Sequence, residues 1–289
     1  MFQILSWQLI SKIWIWLTKK SFTTKVASLS VSISEKMELK YQGTFCITKA
    51  GNSPEECEDT YECSSLDSEA PWYFAVSDGA TESSFSKEWA SKLVKLFVSE
   101  PFDSPDEISD WLEPLQQDWS NWLSQKDLAW FAKRKAVQGS YATLLGLKIE
   151  PNRGEREWKW QSIAIGDSCL FVVHSKSLLS CFPLSQSSDL NSTPDLVGTL
   201  PQYNNNLTKS VKVTRGTARS GTHFYLVTDA LAGWIFKTLE SEKNPWDILN
   251  NINIQEEFIG WLEELRKSRQ IRNDDTTLIH LYLDSSEKS

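Results

Sequence analysis

The chain has 289 residues, 40% of them hydrophobic and 24% charged, with a formal net charge of −8 at pH 7. That balance belongs to a globular protein and excludes disordered and collagen-like classes. The basic residues form no run or stripe, which excludes DNA or RNA as the main partner, while an acidic balance suits a site that gathers cations on carboxylates.

The first segment, Phe2 to Leu17, reads FQILSWQLISKIWIWL and is interrupted by Lys12. It is shorter than the roughly 20 apolar residues a membrane-spanning helix needs, and no small-residue cleavage site follows it. Lys12, Lys19, Lys20, Lys25 and Lys36 stand against Glu35 alone, so an aromatic, basic helix here would suit an anionic membrane surface. Two other readings stay open. One is a disordered extension; the other takes Met37 as the true initiator, because strand-like patterning begins at MELKYQGTFCI. Residues 1–36 are therefore read as an extension and 37–289 as one domain.

Leu39 to Thr48 reads as a strand, and Trp72 to Val76 as a second that ends at the turn signal Ser77-Asp78-Gly79. A helix is expected from about Ser83 to Val98, with Phe85, Trp89, Leu93, Leu96 and Phe97 on one stripe. Ser104-Pro105-Asp106-Glu107 has the form of a helix start, with Ser104 as cap, and Trp111, Leu115, Trp119, Trp122 and Leu123 follow at helical spacing. That spacing makes these tryptophans core rather than stacking platforms for a sugar or base. Strand signals resume over Gly139 to Leu147, Trp158 to Ile165 and Cys169 to Val173. The last two flank Gly166-Asp167-Ser168 and read as a hairpin. Ser185 to Asn206 is polar and reads as a long loop, either a flap near substrate or a plain insertion. His223 to Thr228 is a buried strand, Pro245 to about Ser268 a helical region, and Leu278 to Leu283 a closing strand. Strands grouped around helical pairs predict layered sheets with helices outside.

Cys46, Cys57, Cys63, Cys169 and Cys181 form no C-x-x-C pair, and His174, His223 and His280 are scattered. Zinc ligation and a disulfide framework are therefore unsupported, and reduced thiols in a cytoplasmic protein fit the pattern.

Aspartates carry the chemistry. Asp59, Asp78, Asp229, Asp274 and Asp275 all stand at or beside strand ends. Neighbouring strands lie ~5 Å apart, so such residues can converge. Converged carboxylates repel unless cations or protons neutralise them, and all-oxygen ligation favours Mg²⁺ or Mn²⁺ over zinc.

The ordered set Glu58-Asp59, Ser77-Asp78-Gly79, Gly139-Ser140-Tyr141-Ala142-Thr143, Ile165-Gly166-Asp167-Ser168, Val227-Thr228-Asp229 and Asp274-Asp275-Thr276-Thr277-Leu278 resembles the metal-dependent PP2C (PPM) phosphatases over about residues 39–284. The resemblance implies an α+β fold, a four-layer αββα sandwich of two antiparallel sheets flanked by helices, with two Mn²⁺ or Mg²⁺ ions between the sheets. By the same resemblance Asp78 bridges both metals and the Gly79 carbonyl binds one. Asp229 and Asp274 hold the other, Glu58 and Asp59 act largely through water, and Asp78 and Asp229 are the residues on which turnover depends. Gly166-Asp167-Ser168 is expected to shape a turn and not the metal site. The implied activity is hydrolysis of phosphoserine and phosphothreonine in proteins by a two-metal-activated water. No C-x5-R loop offers a cysteine nucleophile instead.

Three departures stand out. Where the family places a phosphate-gripping Arg, five residues before Asp59, this chain has Pro54, and nearby Lys49 is the candidate substitute. Ala230 replaces the glycine after Asp229. Gln138 and Gly233 stand where acidic residues for a third metal would be. Two rivals follow: a catalytically weak or inactive binding protein of the same fold, and a metallohydrolase of small phosphate esters. A monomer acting on a phosphorylated protein, with peripheral membrane contact through residues 1–36 left open, completes the expectation.

Overall fold

The computed structural model describes residues 36–152, 155–190 and 193–286. The surface-helix reading of the first segment lies outside them. Met37 lies within the first strand, opposite Ser285. No helix among the described residues is long and apolar enough to cross a membrane.

In chain order the strands are β1 (Lys36–Ile47), β2 (Thr60–Cys63), β3 (Trp72–Ser77), β4 (Tyr141–Ala142), β5 (Leu144–Pro151), β6 (Trp158–Ile165), β7 (Cys169–His174), β8 (Ser177–Phe182), β9 (Val197–Gly198), β10 (Lys212–Ala218), β11 (Thr222–Val227) and β12 (Thr276–Ser286). The helices are α1 (Ser86–Ser99), α2 (Ile108–Ser124), α3 (Trp130–Ala136), α4 (Leu207–Ser210), α5 (Asp229–Glu240), α6 (Trp246–Leu249) and α7 (Gln255–Lys267). One sheet runs β1-β12-β11-β7-β8, the other β10-β6-β5-β3-β2, and every pairing is antiparallel.

The runs WYFAV, HFYLV and LIHLYL look continuously apolar because both faces of their strands are covered. Phe74, Val76, Leu170, Val172, Phe224 and Leu226 fill the layer between the sheets. Their neighbours point outward instead. Phe171, Tyr225 and Val227 meet α5, α6 and α7 through Leu231, Trp246 and Phe258. Ala75, Leu144 and Ile163 meet α1 and α2 through Trp89, Leu93, Leu112 and Trp119. The molecule is thus the expected helix–sheet–sheet–helix sandwich.

Four readings of the sequence change. The strands flanking Gly166-Asp167-Ser168 are not a hairpin: β6 and β7 lie in different sheets, and the turn carries the chain across between them. The hairpin is β7–β8, closed by Ser175 and Lys176 at φ of 49° and 66°. A helix, α5, begins directly after β11 at Asp229, and the region 245–268 divides into α6 and α7. Ser104 opens a short turn over Pro105–Glu107 before α2, but its side chain makes no capping bond. The Glu107 carboxylate instead reaches back to accept from the Asp103 N–H, before the turn, at 2.9 Å.

Candidate active site

Strand register gathers the sequence-predicted residues. Across one sheet Thr60 faces Ser77, Val76 faces Leu145 and Leu144 faces Ile165. Asp59, Asp78, Thr143 and Gly166-Asp167 are the next residues beyond that row. Across the other sheet Ile47 faces Thr276, while Val227 faces both Leu278 and Cys169. Thr48, Asp274-Asp275, Thr228-Asp229 and Ser168 lie beyond those. Both rows end at one cleft of about 530 Å³, lined by Asp78, Gly79, Asp167, Asp229, Arg272 and Asp274. Thr193, Pro194 and Leu196 of the long 185–206 segment form part of its wall, so that segment borders the cleft.

The Gly139–Thr143 motif braces Asp78. The Thr143 hydroxyl accepts from the Asp78 N–H at 2.9 Å, and the Thr143 N–H donates to the Asp78 carbonyl at 2.9 Å. Ser168 Oγ lies 3.1 Å from the Thr143 hydroxyl, linking the crossing turn to the same support. Gly79 sits where a Cβ would come within 2.9 Å of the Ser86 carbonyl carbon and 3.0 Å of the Glu58 carbonyl oxygen, so only glycine lets the backbone pass. Gly166 has φ +105°, and a Cβ there would strike the Thr143 side chain at 2.6 Å.

Asp229 is the first residue of α5, where exposed N–H groups favour a carboxylate. The chain enters a helix at this point and does not turn, so Ala230 needs no glycine conformation and is buried in the core. Thr228 ties the two sheets' contributions together. Its hydroxyl donates to Asp59 Oδ2 at 2.8 Å and accepts from the Thr277 N–H at 2.9 Å.

Asp274 and Asp275 separate in role. Asp275 is buried and accepts from the Lys49 N–H at 2.7 Å, the Thr48 hydroxyl at 3.2 Å and the Glu58 N–H at 2.6 Å. It is a brace for the segment carrying Glu58 and Asp59. Asp274 faces the cleft, with one oxygen on the Asp275 N–H at 3.0 Å and the other 2.9 Å from Arg272.

The carboxylates disturb one another. Burial pushes Asp59 well above the usual carboxylate range, and Asp78 adds to the effect. Burial likewise raises Asp78, reinforced by Asp229, Asp167 and Asp274. Asp167 is pushed up to about 7 by burial and by Asp229. Asp229 is raised by burial, with Arg272 opposing. Asp59 Oδ1, Asp167 Oδ1 and Asp229 Oδ1 are buried without a hydrogen-bond partner among the described residues. Orphaned acceptors of one sign are costly unless a cation meets them. This all-oxygen set fits hard divalent cations. Yet among the described residues no three acidic, His or Cys side chains already surround a common point. Arg272 reaches both Asp229 and Asp274, and Glu58 turns away from the cleft to accept from Ser86 Oγ at 2.6 Å and Thr81 Oγ1 at 2.5 Å. Glu58 thus has both carboxylate oxygens committed to hydroxyls, whereas Asp229 keeps Oδ1 free of its Arg272 contact.

Lys49 does not line the cleft. It borders a neighbouring depression with Glu58, its ammonium 3.6 Å from the Glu58 carboxylate. Cleft residues that the sequence reading does not place there include Asp167 and Arg272. Asp167 reads there as a turn residue alone, but its side chain is part of the cleft wall. Arg272, two residues before Asp274, carries no motif and is, among the described residues, one of two cations lining the cleft, with Lys135.

The protein phosphatase 2C family model matches residues 48–273, stopping one residue short of Asp274. Three solved structures share the fold. A bacterial serine phosphatase has 11% identity and a TM-score of 0.54, with 88% of this chain and 100% of that one covered. The Mycobacterium tuberculosis serine/threonine phosphatase PstP/Ppp has 12% identity and a TM-score of 0.52, with 85% and 99% covered. The PP2C phosphatase domain of SpoIIE from Bacillus subtilis, with a fragment of its regulatory domain, has 14% identity and a TM-score of 0.52, with 87% and 64% covered. Among curated proteins no sequence matches. The family model covers most of the chain, and the strand-end cleft is built from the motifs that suggested the resemblance: this chain belongs to the protein phosphatase 2C family.

Proposed function

We propose that the chain is a metal-dependent hydrolase of phosphoserine and phosphothreonine in proteins, with residues 37–289 as the catalytic domain. The observation that carries this reading is the set of orphaned, buried carboxylate oxygens on Asp59, Asp167 and Asp229 beside one open cleft in this family's fold. Asp78, the Gly79 carbonyl, Asp229 and Asp274 are the groups that would hold two Mn²⁺ or Mg²⁺ ions, with Glu58 and Asp59 behind them. Bound there, such ions supply an activated water and a sink for phosphoryl charge. The chain's own part is to fix Asp78 through Thr143 and to hold Asp59 through Thr228. The reaction consumes one water and releases orthophosphate and the free hydroxyl side chain.

Phosphate release from a phosphothreonine peptide in Mn²⁺ tests it. Wild type is expected to turn over, whereas Asp78→Ala and EDTA-treated wild type fall to background. A second reading rests on the Arg272 contacts to Asp229 and Asp274, which neutralise two ligand carboxylates without any metal. A protein that binds its partner through this cleft without turnover would show Mn²⁺ binding by calorimetry and no phosphate release. Turnover of small phosphate esters but not phosphopeptides would instead mark a metallohydrolase of small substrates. The compartment proposed is the cytoplasm, consistent with five free thiols, and the working unit a monomer. Sedimentation with anionic vesicles, with and without residues 1–36, tests the membrane contact.

A further inference from the structure

Among the described residues the cleft is lined by Asp78, Asp167, Asp229, Asp274 and Glu82 but by only two cations, Lys135 and Arg272. A phosphate ester carries its own negative charge into this acidic space, so a fixed side-chain cation there would add to the charge that bound metal ions supply. The two candidates differ. Lys135 is exposed on α3, and its ammonium has no hydrogen bond among the described residues. Arg272 is anchored: its Nη2 donates to Asp229 Oδ2 and lies 2.9 Å from Asp274 Oδ2. Both contacts run through Nη2, and among the described residues Nη1 and Nε make none. The side chain is 56% exposed at the cleft, so these donors are open to a ligand.

We infer that Arg272 is the residue that grips the phosphate group of the substrate, held ready by Asp229 and Asp274. The assignment deepens the proposed phosphatase reading and rests on it for the word substrate. Three observations favour Arg272 over the other cations. A guanidinium offers a planar fork that matches phosphate oxygens, which a lysine ammonium does not. Its tether limits the rotamer freedom lost when a ligand binds. The anchor uses Asp229 Oδ2, whereas the oxygen of Asp229 that lies buried and unpartnered is Oδ1. A cation meeting Oδ1 therefore leaves the anchoring contact in place. Lys49, by contrast, points into the neighbouring depression toward Glu58, and Pro54 offers no donor.

The test is calorimetric titration of Mn²⁺-loaded protein with orthophosphate, run on wild type, Arg272→Ala, Arg272→Lys and Lys49→Ala. A separate Mn²⁺ titration of each metal-free variant accompanies it. Charged hydrogen bonds of this kind set the expected loss in Arg272→Ala at about 10- to 100-fold in orthophosphate affinity. Arg272→Lys is expected to recover part of that loss, and Mn²⁺ affinity in Arg272→Ala to be unchanged or tighter. With phosphopeptide, KM should rise by a similar factor and kcat fall less. Unchanged orthophosphate affinity in Arg272→Ala overturns the assignment. So does a loss confined to Lys49→Ala, or a loss of Mn²⁺ binding in Arg272→Ala that matches its loss of phosphate binding, because Arg272 would then be scaffold. Failure of the phosphatase reading looks different: orthophosphate binds in an Arg272-dependent way while no peptide is hydrolysed. If Mn²⁺-loaded wild type binds no orthophosphate, the assignment falls whatever the turnover.

Discussion

Asp275 and Asp274 are adjacent in sequence and opposite in use. Asp275 gives both carboxylate oxygens to Thr48, Lys49 and Glu58, while Asp274 faces the cleft. Removing Asp275 leaves buried N–H groups without acceptors, each costing about 1–3 kcal/mol. Asp275→Ala should therefore lower stability by about 2–4 kcal/mol in urea denaturation and weaken Mn²⁺ binding by about 10- to 100-fold. Asp275→Asn keeps one carbonyl acceptor and should lose less on both counts. Equal Mn²⁺ affinity in wild type and Asp275→Ala would show that the Glu58–Asp59 segment does not need its brace. At this scale Asp78, Asp229 and Asp274 are legible in the sequence, because each is bound to a strand end by a recognisable motif. Arg272 is not. A single Arg in the connection between α7 and β12 has neither periodicity nor spacing to mark it, and its meaning arises only when the fold brings it to Asp229. Asp167 reads as a turn residue because Gly-Asp-Ser has turn chemistry, and the same turn happens to deliver a carboxylate.

Among the elements, the strands legible in the sequence are those covered on both faces. Three strands that escape it, β2, β8 and β10, each lie at a sheet edge, where one side lacks a partner strand. Their sequences TYEC, SLLSCF and KVTRGTA carry polar residues that break the apolar run. The β6–β7 connection misleads for another reason: turn chemistry announces a reversal but not which sheet receives the next strand. Helix α5 is hidden because its sequence, DALAGWIFKTLE, is apolar nearly all round and shows little helical stripe. On the opposite side of the sandwich, α1 and α2 do more than cover a sheet. Trp89 Nε1 donates to the Val197 carbonyl at 2.8 Å, and Gln116 Nε2 to the Gly198 carbonyl at 3.0 Å. These bonds hold β9, next to the cleft-wall residues Thr193 to Leu196. Trp89→Phe removes the donor and part of a fully buried side chain, and should cost about 2 kcal/mol. Limited proteolysis of the 185–206 segment should quicken in that variant. An unchanged cleavage rate would mean that the segment is held by its own contacts.

For the molecule as a whole, two buried sets of groups give stability opposite pH dependences. Asp167 titrates at about 7 in the folded chain, against an ordinary aspartate value of 3.8, so between those limits the folded state holds more protons. Stability of the metal-free protein therefore falls as pH rises through that window, and Asp59 and Asp78 are displaced in the same direction. Burial lowers His280 from 6.5 to about 3, and His223 adds to it. Here the unfolded state holds more protons between those values, so that contribution is present above pH 6.5 and is lost as pH falls toward 3. Above pH 6.5 the His280 contribution is complete and no longer offsets the carboxylates. The Tm of EDTA-treated protein should fall from about pH 6.5 to 7.5, as Asp167 finishes titrating, a dependence that Mn²⁺ suppresses and Asp167→Asn reduces. A metal-free Tm that is flat or rising over this range would contradict the carboxylate contribution.

The aromatic packing beside the cleft has a consequence in optics. Trp89 and Trp119 lie with ring centroids 5.5 Å apart at 71°, and Trp119 and Trp122 at 4.8 Å and 30°. Indoles this close and this oblique share their electronic excitations, so they absorb as a coupled chromophore with a paired, oppositely signed circular dichroism band. Trp72–Trp158 and Trp234–Trp261 are as close, so the difference between wild type and Trp89→Phe isolates the part of that band tied, through the Val197 carbonyl, to the strand that follows the cleft wall.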